Sequence, residues 1–275
     1  MGKRELVPNF LKPTIRKIYY SLVDIIDTLK GRDSLTPPKS LMFIGGGDYK
    51  EIGNEFKGYF IKLGGLKPDH RVLDVGCGVG RMAVPLTDYL SREGGYWGFD
   101  IVQKGIEWCQ KHIMKNFNNF QFLYVDIYNK YYNKKGKLTA NQFDFPYETG
   151  FFNFVFLTSV FTHMLPDELE NYIKEIARVL KPGGKAFLTV FMLNAESERA
   201  IGLGRSLLDF KYEITERCKT ANPKMPEYAI AYDEGFVLSL IGKYRLVVDQ
   251  PVHYGSWSGR ERFLTFQDVI LVRKQ

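Results

Sequence analysis

Apolar positions along this chain follow two different periods. Near the start, Leu11, Ile15, Ile18, Leu22, Ile25 and Leu29 recur at steps of 4, 3, 4, 3 and 4, which puts them on one face of a helix. Pro13 is compatible with the first turn and Gly31 is placed to end the helix. Further along, short apolar runs replace this stripe. Leu73-Asp74-Val75, Tyr96 to Asp100, Phe122 to Ile127 and Phe151 to Phe161 read as buried strands. Leu165 to Leu180, with Pro166 near its start, predicts a helix that runs into Leu180-Lys181-Pro182-Gly183-Gly184 and a fifth strand, Lys185 to Val190. A helix near Glu234 to Ile241 and strands over Tyr244 to Val248 and Asp268 to Val272 close the chain. Strands alternating with helices predict an α/β fold built on a mostly parallel sheet.

Four stretches fit neither period. Ser34-Leu35-Thr36-Pro37-Pro38 reads as a linker, which separates an N-terminal extension, residues 1–40, from a domain over 41–275. Phe43 to Gly47 form a glycine-rich turn before Asp48 and Tyr49, and a helix through Phe60 follows. The loop Tyr128 to Gly136 is polar, rich in tyrosine and longer than a simple connection. Residues 194–232 form an irregular insertion.

Composition narrows the function. With 275 residues and 45% hydrophobic content, the chain has the make-up of a globular protein with a substantial core. Cys77, Cys109 and Cys218 show no paired spacing, and the four histidines are dispersed, so neither a disulfide framework nor a metal site is expected. The net charge is +7, and the first 40 residues carry eight Lys/Arg against four Asp/Glu. A basic stripe beside a catalytic face, as nucleic-acid enzymes show, is missing from the pattern, so a nucleic-acid substrate is disfavoured. The leading helix, with Lys12, Arg16, Lys17 and Lys30 opposite its apolar stripe, has three readings: docked on its own domain, a dimer seam, or a peripheral membrane contact through residues 10–30. No run approaches the ~18 apolar residues of a membrane span, no secretory leader is read, and Leu6 argues against myristoylation at Gly2. The expected compartment is the cytoplasm, at its membrane face if the helix lies on lipid.

The chemistry is concentrated in Arg71 to Arg81, RVLDVGCGVGR. Gly76, Gly78 and Gly80 let a turn after a strand bring its backbone against a ligand. A dinucleotide fingerprint would need glycine where Arg81 stands. The D-x-G-x-G-x-G pattern instead resembles the first motif of the class I S-adenosylmethionine-dependent methyltransferases, and the resemblance runs from about residue 68 to 193. It implies a Rossmann-like seven-stranded sheet with the last strand antiparallel, a substrate lid formed by the insertion, and S-adenosylmethionine as cofactor. Asp74 would face the ammonium of the cofactor's amino-acid tail. Asp100, 20 residues beyond Gly80, would take the ribose hydroxyls; Asp126 would face the adenine amino group between Ile101 and Ile127. Thr158 is assigned to the same site. Tyr49 either closes over the methionine end or packs on the core.

Methyl transfer from a sulfonium is an in-line displacement, so the protein must align a nucleophile, exclude water and, for an alcohol acceptor, accept a proton. His163, just past the fourth strand, is the candidate base; its structural alternative is a bond to the start of the next helix. His253, Tyr254, Trp257 and Arg260 are the candidate substrate contacts. The expected acceptor is an O or N atom of a small molecule or of a sugar in a glycan or lipid-linked saccharide. A protein or nucleic-acid substrate, or a non-catalytic cofactor-binding relative, are the alternatives.

Overall fold

The computed structural model describes residues 13–42 and 47–275, with side chains inside the first helix described from Tyr19 onward. Leu11 and the Phe43 to Gly46 part of the glycine-rich turn therefore lie outside the described residues. Helix α1 spans Pro13–Leu29 and α2 spans Tyr49–Lys62, whose first turn is capped by Asp48 accepting from the Lys50 and Glu51 backbone N–H groups. The main sheet then begins with β1, Arg71–Val75, and β2, Gly95–Asp100. Between them lie turns and one short 3₁₀ turn, Val84–Leu86, where Pro85 has no N–H to donate. Helix α3, Gln103–Cys109, leads to β3, Phe120–Tyr124; β4, Phe152–Leu157, leads to α4, Pro166–Val179, and β5, Leu180–Val190. Pairing between β4 and β5 jumps from Phe152↔Leu180 to Phe154↔Lys185, so the Pro-Gly-Gly turn expected before this strand is a bulge at its start.

The insertion is ordered. It contains α5 (Ala195–Gly202), β7 (Tyr212–Thr215), β8 (Cys218–Thr220) and β9 (Ile230–Asp233); its three strands join β6 (Met192–Leu193), just before it, in a four-stranded sheet of order β6-β9-β8-β7. Helix α6, Glu234–Lys243, and strands β10, Leu246–His253, and β11, Asp268–Lys274, complete the chain.

The seven-stranded sheet has the order β10-β11-β5-β4-β1-β2-β3, and β11 alone runs antiparallel to its neighbours. Strand β1 pairs in parallel with β2 on one side and β4 on the other, so the chain order reverses there. In open α/β sheets that reversal leaves a crevice at the carboxyl ends of the strands. Alternation along β1 supplies both faces: Leu73 and Val75 join the core under α4 and α6, while Val72 joins Phe60 of α2, Phe154, Phe156 and Phe187 on the other side. Phe60 stacks on Phe156 at 4.3 Å and meets Phe187 edge-on at 5.1 Å.

Helix α1 does not dock its apolar stripe on the domain. Leu22, Ile25, Ile26 and Leu29 are all exposed, which removes the first of the three readings above for the described part of the helix.

Phe60→Ala is expected to destabilise the protein by about 3–5 kcal/mol, because the fully buried ring leaves a void that rigid neighbouring rings cannot close. Denaturant unfolding measures this; a loss below ~1 kcal/mol would contradict the packing described.

Candidate active site

Three glycines shape the turn that leaves β1. Gly76, Gly78 and Gly80 have φ of 81°, 56° and 73°, a left-handed backbone that glycine adopts without strain. They do different work. A Cβ on Gly78 would meet open space, whereas one on Gly80 would lie 2.7 Å from Ile113, so Gly80 is a packing position beneath the loop.

Two acids stand behind this turn. Asp100 accepts from the Gly78 backbone N–H through Oδ2 and from Val102 N–H through Oδ1, both at 2.7 Å, and so ties the loop to the end of β2. Burial pushes its carboxyl up to about 6 despite these bonds. Asp74 is 1% exposed; Oδ2 accepts from the Tyr96 hydroxyl at 2.5 Å, and Oδ1 is buried without a hydrogen-bond partner among the described residues. Burial, with a smaller contribution from Asp100, pushes Asp74 up to about 8.

Two cavities adjoin at Gly76, Thr158 and Ser159. One, about 710 Å³, is lined by Asp100, Ile101, Ile127, Tyr132, His163 and Glu168 among others. The second, about 680 Å³, is lined by Asp74, Gly78 and Arg81 with Ile52, Phe56 and Met82. Ser159, on the shared wall, has φ 60°; its N–H donates to Thr189 Oγ1 and its Oγ accepts from Gln267 Nε2, each at 2.8 Å.

His163 lies in the wall of the first cavity. Its Nδ1 is 2.9 Å from the carbonyl of Glu227, so Nδ1 carries the proton and Nε2, 3.5 Å from the Tyr132 hydroxyl, holds the lone pair. Burial lowers the pKa of this ring, which is neutral at physiological pH. Glu227 lies in the 3₁₀ turn Pro226–Tyr228 of the insertion, and its Oε2 also accepts from Lys130 N–H at 3.0 Å. The insertion therefore reaches the wall of the first cavity and touches the tyrosine-rich loop there.

Not every sequence assignment lands in these cavities. Tyr49 is buried beside the glycine turn, donating its hydroxyl to the Val79 carbonyl at 2.9 Å, and it lines neither of them. Asp126 is outside both walls; Tyr124 O–H and Asn133 Nδ2 donate to it at 2.8 and 3.2 Å and hold its pKa below the ordinary value. Trp257 is fully buried, with Nε1–H donating to Asp268 at 2.9 Å, so it is a core residue and does not face a substrate. His253, Tyr254 and Arg260 do come together, in a separate groove of about 1260 Å³. There the Arg260 guanidinium lies 4.2 Å from the Tyr254 ring and 2.9 Å from Glu196. Sequence reasoning missed Tyr132, Ser159 and Glu168; the length of the Tyr128–Gly136 loop was the only signal pointing toward Tyr132.

A doubly wound sheet whose switch point carries a glycine turn backed by two buried acids is a cofactor-binding α/β domain. Comparison with known proteins identifies which. Residues 73–188 match the family profile "Methyltransferase domain". The sterol 24-C-methyltransferase erg6 of Schizosaccharomyces pombe is 34% identical over 123 residues, 44% of this chain and 27% of that protein. The ubiquinone/menaquinone biosynthesis C-methyltransferase UbiE of Wigglesworthia glossinidia brevipalpis is 23% identical over 136 residues, 50% of this chain and 48% of that protein. The chain thus spans less than half the length of either relative. In fold it is similar to the PH0226 protein of Pyrococcus horikoshii OT3 (TM-score 0.56, 17% identity, 86% and 95% of the two chains). It is also similar to the magnesium protoporphyrin IX methyltransferase of Synechocystis PCC 6803 with bound SAH (TM-score 0.53, 15% identity, 93% and 99%). Residues 73–188 thus carry a methyltransferase domain, and the chain is similar to the class I S-adenosylmethionine-dependent methyltransferases. Its cofactor is S-adenosylmethionine, and the residues fit that group: Asp74, one of whose oxygens is buried without a partner among the described residues, lines the second cavity, where a cationic amino group would balance its charge.

Asp74 generates a prediction with a definite sign. Between its ordinary 3.8 and about 8 the folded state holds a proton that the unfolded chain releases, so this group takes stability away as pH rises through that window. Asp74→Asn should raise the ligand-free melting temperature at pH 8 relative to wild type. It should also weaken binding of S-adenosylhomocysteine by about ten- to a hundredfold, the loss expected of a charge-assisted hydrogen bond. Calorimetric melting and titration test both; a variant that binds as tightly as wild type would rule out contact with the ammonium.

Proposed function

We propose that this protein transfers the methyl group of S-adenosylmethionine to an oxygen or nitrogen of a small molecule or of a lipid-borne saccharide, with His163 as the base. The carrying observation is the state of His163: neutral, its tautomer set by the Glu227 carbonyl, its unprotonated nitrogen beside the hydroxyl of Tyr132, which lines the first cavity with it. When bound, the cofactor supplies a methyl group already activated as an electrophile. The chain's own residues do the rest. Asp74 would hold the ammonium, Asp100 the ribose hydroxyls, and Ile101 and Ile127 the faces of the adenine, while Thr158 and Ser159 form the floor between the two cavities. Tyr132 and the insertion's Glu227 turn exclude water on the His163 side. Nε2 of His163 accepts the acceptor's proton as the new bond forms.

A carbon acceptor is the second reading. It is favoured by the sequence relatives, whose names describe sterol and quinone C-methyltransferases. Both readings use the same base.

Labelled methyl from S-adenosylmethionine, followed into the small-molecule, lipid and glycan, protein, and nucleic-acid fractions of an extract, tests the substrate class. Label in either of the first two fractions is expected, and label confined to protein or nucleic acid would overturn the proposal. With the acceptor in hand, kcat/KM should fall on the acid side with a midpoint below the ordinary histidine value, since the base works only when deprotonated. His163→Asn should lower turnover by about a hundredfold or more while leaving cofactor binding intact. Unchanged turnover would remove His163 from the mechanism.

A further inference from the structure

Helix α1 is attached to the rest of the chain by its polar side. Asp24 accepts from the backbone N–H groups of Lys39 at 2.5 Å and Ser40 at 3.1 Å and pairs with Arg32 at 3.5 Å; Asp27 pairs with Lys39 at 3.4 Å. The carboxylates thus face the Lys39–Leu41 turn, and the apolar stripe faces out. Leu22, Ile25, Ile26 and Leu29 stand at i, i+3, i+4 and i+7 and are 57%, 58%, 49% and 83% exposed. A helix that stabilises a globular domain does the reverse, burying the stripe and showing its charges to water.

We propose that α1 is a docking helix for an anionic lipid surface, lying in the interface with this stripe among the acyl chains. Charge argues for that occupant. Of the acidic residues in the first 40, Asp24, Asp27 and Asp33 are already paired, with Arg32, Lys39 and Lys50. The sequence adds Lys3, Arg4, Lys12, Arg16, Lys17 and Lys30 against Glu5, a surplus that suits phospholipid phosphates. A second copy of the same helix would bring an equal surplus against it. No described helix is long and apolar enough to cross a membrane, so the contact is with the surface. The Asp33–Lys50 pair joins the end of this segment to α2, whose Tyr49 holds the glycine turn, so the cofactor edge is the part of the domain anchored nearest the lipid.

Co-sedimentation with large unilamellar vesicles tests this, comparing phosphatidylcholine alone with phosphatidylcholine containing phosphatidylglycerol, at low and high salt. The wild-type chain should sediment with the anionic vesicles and bind neutral ones, or anionic ones at high salt, at least about tenfold more weakly. Ile25→Glu/Leu29→Glu should abolish sedimentation while S-adenosylhomocysteine binding, which reports an intact domain, is unchanged. Wild-type protein left in the supernatant would overturn the proposal, as would equal sedimentation of the folded variant. A dimer in sedimentation velocity that the same variant dissolves, without vesicle binding by wild type, would assign the stripe to a second copy instead. Should the variant fail to bind S-adenosylhomocysteine, the wild-type dependence on lipid charge and salt decides the matter alone.

Discussion

The Asp100 carboxylate, closed inside the end of the sheet and shared between the Gly78 and Val102 N–H groups, is the constraint on which the site depends. It converts a flexible three-glycine turn into a fixed rim at the switch point. A neutral side chain would accept one of these bonds well and the second poorly, because only an ionised carboxylate offers acceptors alone on both oxygens. Burial, and to a smaller degree the same ion, makes Asp74, behind the turn, harder to ionise, and no cation among the described residues is paired with it. Two acids buried this close, with no paired base among the described residues, are an arrangement to which a cationic ligand group would be complementary.

Much of this was visible in the residues, because the glycine turn is a local structure. Gly76, Gly78, Asp74 and Asp100 follow one another along a strand, a turn and a strand, and each is required by backbone geometry that a sequence states directly. Thr158, which follows the end of β4, lines both cavities. The residues that lie outside the two cavities are placed by partners that no local pattern reveals. Trp257 lies in a Gly- and Ser-rich stretch that looks like a surface loop, and only its bond to Asp268 across β11 shows it to be core. Asp126 stands two residues past the end of β3, whereas Asp100 closes β2, and it is bonded to Tyr124 and Asn133. The small sheet of the insertion was illegible because β7 and β8, Tyr-Glu-Ile-Thr and Cys-Lys-Thr, are too short and too polar for either period.

Assembly of the His163 side illustrates how a site is gathered from distant segments. The histidine comes from the exit of β4, the tyrosine facing it from the long loop after β3, and the carbonyl that sets its tautomer from the insertion after β5. None of these segments is regular where it contributes. Rigidity comes from what lies beneath: β1, β4 and β5 in parallel register, with a buried core packed on each face. Loops carry the chemistry while the sheet fixes where their ends begin.

Ser159 has a consequence of a different kind. Its left-handed backbone, kept in place by Thr189 and Gln267, is a partition common to both cavities. A non-glycine residue there costs roughly 1 kcal/mol or more in backbone energy, so neighbouring bonds must continually enforce it. Divergence between relatives is therefore unevenly permitted. The Arg260 groove and the outer part of the tyrosine loop can change without touching the partition, but position 159 cannot be reshaped for one cavity without being reshaped for the other. The lineage of such an enzyme is expected to explore its periphery and leave this partition alone.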